Sequence, residues 1–129
     1  MSIEYRVSHN GHFIHAIVTD LVTSQELIEY EVAHAVDDRI QPPVSELLEI
    51  RCGALKNISK DDFSKLLNEQ RVKFNKLSRP HRCAIVVHYS DTHAWDLAKF
   101  YETMATLHTP QGVIVFGDLH IAKTWLGIE

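Results

Sequence analysis

The chain has 129 residues, 45% of them hydrophobic and 23% charged, which is the size of one domain and the composition of a globular one; a second core, a fibrous architecture and extended disorder are excluded. Thirteen Lys and Arg against 17 Asp and Glu leave a net charge of −4, the wrong sign for neutralising phosphates along a duplex, so no nucleic-acid partner is expected. The longest apolar run, Cys83 to Val87, is far short of the roughly 18 residues of a spanning helix, and the chain opens without a charged-then-apolar leader pattern, so the expected location is cytoplasmic.

Ile3 to His9 and His12 to Asp20 alternate as two strands around Asn10-Gly11, a pair that supplies the positive backbone angles of a tight hairpin turn. Thr23 with Glu26 three residues on forms a capping box, and Val22 can staple onto Leu27; a helix starts there, with Ile28, Val32, Ala35 and Val36 as its expected buried stripe. Pro42-Pro43 cannot continue a helix, so the segment is predicted to end near Arg39 and a strand to run from Val44 to Cys52. A second box, Ser59 with Asp62, and a second staple, Ile58 onto Phe63, open a helix in which Phe63, Leu66, Leu67, Gln70, Phe74 and Leu77 repeat at helical spacing until Pro80. Cys83 to Val87 reads as a buried parallel-type strand. Ser90, Asp91 or Thr92 caps a third helix with Ala94, Leu97, Ala98, Tyr101, Ala105 and His108 on one face. After Pro110 and Gly112, Val113 to Phe116 makes a last strand, and Asp118 caps a closing helix that buries Ile121, Ala122, Trp125 and Leu126.

The order ββαβαβαβα predicts an α/β single domain with a mixed, mostly parallel five-stranded sheet. If consecutive parallel strands are also sheet neighbours, right-handed crossovers put the helices on one side, so they are expected mainly on one face with the other left uncovered. The middle strand fits this, because Leu48, Ile50 and Cys52 point one way while Leu47, Glu49 and Arg51 point the other, and two charges would be costly beneath a second helical layer. Phe13, His15 and Ile17, or Ala84, Val86 and His88, could extend that second face. Cys52 and Cys83, in separate apolar segments without C-x-x-C spacing, read as reduced core residues.

At this point the chain resembles the SpoIIAA-like branch of the STAS superfamily, single-domain proteins grouped with anti-sigma-factor antagonists and CRAL-TRIO-type lipid-binding proteins. The resemblance rests on Val115-Phe116-Gly117-Asp118 followed by Ile121-Ala122-Lys123-Thr124-Trp125-Leu126, on the strand, turn and Thr-capped helix of Ile17 to Leu27, and on Cys83-Ala84-Ile85-Val86-Val87. It implies the SpoIIAA-like fold over the whole chain. The antagonists of that superfamily carry an Asp-Ser pair whose serine is phosphorylated at the start of a helix. Here Ser59 is the corresponding hydroxyl, but Ile58 stands where the acid would be, and the cap role explains Ser59.

The remaining candidates come from the residues themselves. His88, Ser90, Thr92 and His93 lie at the C-terminal rim of the parallel strands, where open α/β sheets bind ligands, and could meet a small anion or a lipid headgroup; Ser, Asp and Thr there are also ordinary caps. Trp95 falls off the buried stripe of the third helix and is expected to be exposed, as a ligand lid or dimer contact. Arg71, Lys73, Lys76, Arg79 and Arg82 form a basic stretch that could face an anionic lipid surface or an acidic partner, or could simply favour a helix C-terminus. His9 and His12 could pair across the hairpin turn, but a metal needs three or four convergent ligands, and no metal or cofactor is expected. A Ser90, His88 and Asp91 triad is not supported, since neighbours along one segment rarely point at one another. No catalytic residue is assigned. The expectation is a non-enzymatic binding module for a small amphipathic or lipid ligand, with transient membrane association and a protein partner or homodimer as further contacts. A regulatory protein-interaction domain of the antagonist type is the alternative, and a small hydrolase or transferase the third reading.

Overall fold

A computed structural model describes residues 2–73, 82–108 and 111–128. Strand β1 (Ile3–Ser8) pairs antiparallel with β2 (Phe13–Val18), and β3 (Ser45–Ile50), β4 (Arg82–Val87) and β5 (Gly112–Phe116) follow in parallel, in the sheet order β1-β2-β3-β4-β5. The helices are α1 (Ser24–Ala35), α2 (Lys60–Lys73), α3 (Thr92–His108) and α4 (Leu119–Leu126). The α/β class, the mixed five-stranded sheet and the order of elements are those the sequence predicts.

The caps are where local chemistry puts them. The Thr23 hydroxyl accepts from the Glu26 N–H at 3.1 Å while the Glu26 carboxylate accepts from the Thr23 N–H at 3.1 Å, and Val22 and Leu27 are both buried behind the box. Ser59 and Asp62 repeat the arrangement for α2. Asp118 caps α4 by accepting from the Ile121 N–H at 3.0 Å, and α4 ends on Gly127 in the left-handed region. The hairpin turn is wider than a two-residue one: His9, Asn10 and Gly11 all have positive φ. Glycine is required at the third place, because a Cβ on Gly11 would lie 2.3 Å from the Arg39 carbonyl oxygen. His9 and His12 do not pair; His9 Nδ1 lies 2.9 Å from Ser8 Oγ, and His12 Nδ1 lies 2.7 Å from the Gln41 carbonyl oxygen.

The expected single helical layer is corrected. Helices α1, α2 and α3 cover the face carrying Ala16, Val18, Leu48, Ile50, Cys83, Ile85 and Val87, but α4 packs on the opposite face. There Ala122 and Leu126 meet Phe13, Leu47 and Ala84, with Trp125 half-buried beside Phe116. The handedness rule governs a helix between two parallel strands; no strand of the sheet follows α4, so its apolar side was free to cover the other face. Both alternative residue sets lie on that second face, since the register aligns His15 with Leu47 and Leu47 with Ala84. Its outer part, toward β1, stays open, with His15 and Glu49 paired at 3.0 Å and Arg51 exposed.

Several burial expectations change with the packing. In α1 the buried residues are Leu27, Tyr30 and His34, while Val32 and Val36 are exposed at 39% and 66%. That helix closes at Val36 and the strand starts at Ser45, both short of the expected limits. Cys52 is exposed in the turn after β3, whereas Cys83 is buried as expected. In α3 the stripe Ala94, Leu97, Ala98, Tyr101 and Ala105 is buried; in α4 Ile121 is exposed. The side chains of Leu67, Gln70 and His108, and all of Phe74 and Leu77, lie outside the described residues.

Candidate functional site

The site grows from the parity of β3. Ser45–Ile50 reads S-E-L-L-E-I, and alternation puts Glu46 on the same side as Leu48 and Ile50, facing the three-helix layer. Glu46 is accordingly buried, with 4% of its surface exposed. An unpaired carboxylate there would be costly, and α1 supplies its partners. Tyr30 and His34 are four residues apart on one helical face, and Glu31 adjoins them. The Tyr30 hydroxyl donates to Glu46 Oε2. His34 Nε2 lies 2.9 Å from Glu31 Oε2 and 4.0 Å from Glu46 Oε2. Cys83, directly across the ladder from Glu46 on β4, donates its thiol to the same carboxylate. No buried side-chain nitrogen or oxygen among the described residues lacks a partner.

These neighbours set the protonation states. Burial disfavours the charged form of His34, but the Glu31 carboxylate in contact, with Glu46 and Asp37 behind it, outweighs burial and holds the pKa up at about 9. Burial raises Glu46, opposed by His34. Burial and the adjacent Glu46 push the Tyr30 phenol and the Cys83 thiol well above their usual ranges. At neutral pH the cluster therefore holds an imidazolium, a phenol and a thiol. A thiol kept protonated in this way is not a nucleophile.

The cluster forms one end of a chamber. Its floor is Val18, Leu48, Ile50 and Ile85 of the sheet, its walls are Leu27 and Tyr30 of α1 and Ala98 and Tyr101 of α3, and its roof is Phe63 and Leu66 of α2. The space is small, about 30 Å³, and the lining is almost wholly apolar apart from the end formed by Glu31, Glu46 and Cys83. Helix α2 rests on α1 and α3, and it is the side chains of Phe63 and Leu66 that reach down toward the sheet.

The rim predicted from sequence is only partly assembled. Ser90 Oγ lies 2.6 Å from His88 Nδ1, and the Ser90 N–H donates to the same nitrogen at 3.2 Å, so these two near neighbours do meet, with the His88 ring stacked on exposed Tyr89. No carboxylate orients that imidazole from Asp91, whose oxygens accept from the Gly53 N–H at 2.8 Å and the Ala94 N–H at 3.2 Å. Asp91 is thus the cap of α3, and an acid already occupies the helix N-terminus that an anion would need. Thr92 is exposed in the first turn, and His93 turns away, with Nε2 2.9 Å from the Ile58 carbonyl oxygen. Trp95 is not exposed as expected; it is half-buried against the core, near Gly117.

Ser59 is exposed and shares its hydroxyl with the Asp62 carboxylate at 3.0 Å. In the basic stretch, Arg82 is engaged by α4: its Nη1 donates to the Trp125 carbonyl at 3.0 Å and its guanidinium lies 5.5 Å from the indole ring. Arg71 and Lys73 belong to α2, but their side chains, like the whole of Lys76 and Arg79, lie outside the described residues. Among the described residues no group of three potential metal ligands converges, and no helix is long and apolar enough to cross a membrane. Comparison with protein-family models, with curated proteins and with solved structures returned no match.

Proposed function

We propose that the protein is a non-enzymatic binding module of the SpoIIAA-like type that takes a small amphipathic ligand, such as a lipid, into the chamber beneath α2. The observation that carries this reading is the chamber itself: apolar walls from three helices and the sheet converge on one polar end. That is the construction of a small-molecule site, where burial supplies affinity and a few polar groups supply orientation. At about 30 Å³ the chamber has room for one or two waters, so a larger ligand must widen it by lifting its roof. Helix α2 is suited to that movement, because it rests on helices and can part from them without breaking a strand ladder.

The groups around the chamber favour binding over chemistry, since Cys83 and Tyr30 are held protonated and spend their donors on Glu46. The regulatory alternative lacks a comparable observation: the Ser59 hydroxyl and the Asp62 carboxylate serve each other as a helix cap. Contact with an anionic membrane would be transient and secondary to the chamber, because Arg82 is committed to α4.

Native mass spectrometry of the protein from its own cells tests the reading. A co-purified amphiphile at one per chain, absent from an Ala98→Leu variant whose larger side chain fills the chamber, is the expected result. Protein that carries no adduct and gains no thermal stability from fatty acids, phospholipids or alkylamines would refute it, because a ligand of the native state must raise apparent stability.

A further inference from the structure

Resting on the chamber reading above, we propose that the ligand's polar group is a single positive charge, an aliphatic amine rather than a carboxylate or phosphate. The inference follows from the charges at the polar end, taken element by element. From α1 come Glu31, His34 and the neutral Tyr30; from β3 comes Glu46; from β4 comes the neutral Cys83. Among the described residues, the side chains that α2 and α3 contribute to the lining, Phe63, Leu66, Ala98 and Tyr101, carry no charge. Asp37 stands behind His34, but its carboxylate is held by Arg39 at 2.6 Å and by the Tyr5 hydroxyl at 2.8 Å.

Among the described residues the polar end of the lining carries two acids and no cation. Glu31 and Glu46 face the chamber, whereas His34 lies behind them and is not part of the lining. An ammonium entering from the apolar side meets two acidic side chains in a medium where charge interactions are several times stronger than in water. A carboxylate or phosphate at the same place would bury an anion against two acids with no cation in the described lining, and an aliphatic body leaves water for the apolar floor in either case. The discrimination is therefore electrostatic and belongs to the headgroup.

Titrations of the full chain with n-hexylamine, n-hexanol and n-hexanoate, one body with three headgroups, test this by calorimetry and by methyl shifts of Ile50 and Ile85 on the chamber floor. Hexylamine is expected to bind tightest, by about tenfold over hexanol, with hexanoate weakest. Glu46→Gln, nearly isosteric, should bring the hexylamine-to-hexanol affinity ratio down from about tenfold to about one; Glu31→Gln, at a half-buried position, serves if that variant does not fold. Hexanoate binding as tightly as hexylamine, or an amine preference that survives both substitutions, overturns the charge inference while hexanol binding keeps the chamber reading standing. Methyl groups unmoved by all three compounds would remove the chamber reading and this inference together.

Discussion

Raising the pH should weaken this fold through His34 before any other group of the cluster titrates in the unfolded chain. In the folded protein Glu31 and Glu46 hold the imidazolium to about pH 9, whereas the unfolded reference is 6.5. Stability from the pair is thus fully present below about pH 6.5 and is lost as the pH rises through about 9. Over the whole window the difference is about 3 kcal/mol, at 1.36 kcal/mol per pH unit, and no discount for exposure applies because His34 is 5% exposed. Between pH 7 and 8.5 the folded chain holds one proton that the unfolded chain has released, so unfolding free energy should fall by about 2 kcal/mol. By the end of that window Cys83 has begun to lose its proton in the unfolded chain, and Tyr30 follows at higher pH, each adding a loss of the same sign. Urea unfolding of the wild type and of His34→Gln across these pH values measures the slope, and nitrogen chemical shifts of the ring report its charge directly. A wild-type stability flat across the window, or a His34→Gln profile parallel to it, would refute the reasoning.

Three further outcomes follow from the packing. Tyr30→Phe removes the hydroxyl that donates to buried Glu46 and should cost about 1–3 kcal/mol in urea unfolding, with a loss under about 0.5 kcal/mol counting against a charged Glu46. Gly11→Ala places a Cβ against the Arg39 carbonyl at a positive φ and should destabilise by more than about 1 kcal/mol in a thermal melt; a neutral result would mean that the hairpin loop relaxes freely. Leu126→Ala should cost about 2–5 kcal/mol because α4 is packed on the second face, whereas Val36→Ser on exposed α1 surface should stay within about 0.5 kcal/mol; reversal of that order would restore the single-layer arrangement.

What the sequence made legible was chemistry confined to a few neighbouring residues. Thr23 with Glu26, Ser59 with Asp62 and Asp118 ahead of Ile121 are caps whose partners lie three positions away, so the helix starts could be read without the fold. Given consecutive strands as neighbours, the crossover rule placed the helices on one side as far as α3 and no longer applied to α4. The inner side of α1 was illegible for a different reason. Hydropathy favours Val32 and Val36, but Tyr30 and His34 are inside because their polar atoms are satisfied by Glu46, a residue on a strand that the helix sequence does not reveal. One signal was available: Glu46 shares the parity of Leu48 and Ile50, and an acid at an inward position asks for a buried partner. The rim was misjudged in detail because a turn decides which of several capping types points at the helix, and here Asp91 does.

The arrangement of α1 bears on why the chamber has a polar end at all. Val32 lies two residues from Tyr30, about 200° around the helix, so the exposed valines occupy the side opposite the buried tyrosine and histidine. Leu27 is buried on the same side as Tyr30 and His34, while Gln25 and Glu29 are exposed with the valines, so the inward side of α1 is mixed, apolar at its start and polar toward its end. Buried ion pairs rarely out-stabilise apolar residues of similar volume, since desolvation offsets most of their attraction. The inward Tyr30, Glu31 and His34 are therefore poorly explained as a device for holding the fold together. Under the proposed function Tyr30, Glu31 and Glu46 form the polar end of the chamber, and His34 stands behind them in contact with Glu31.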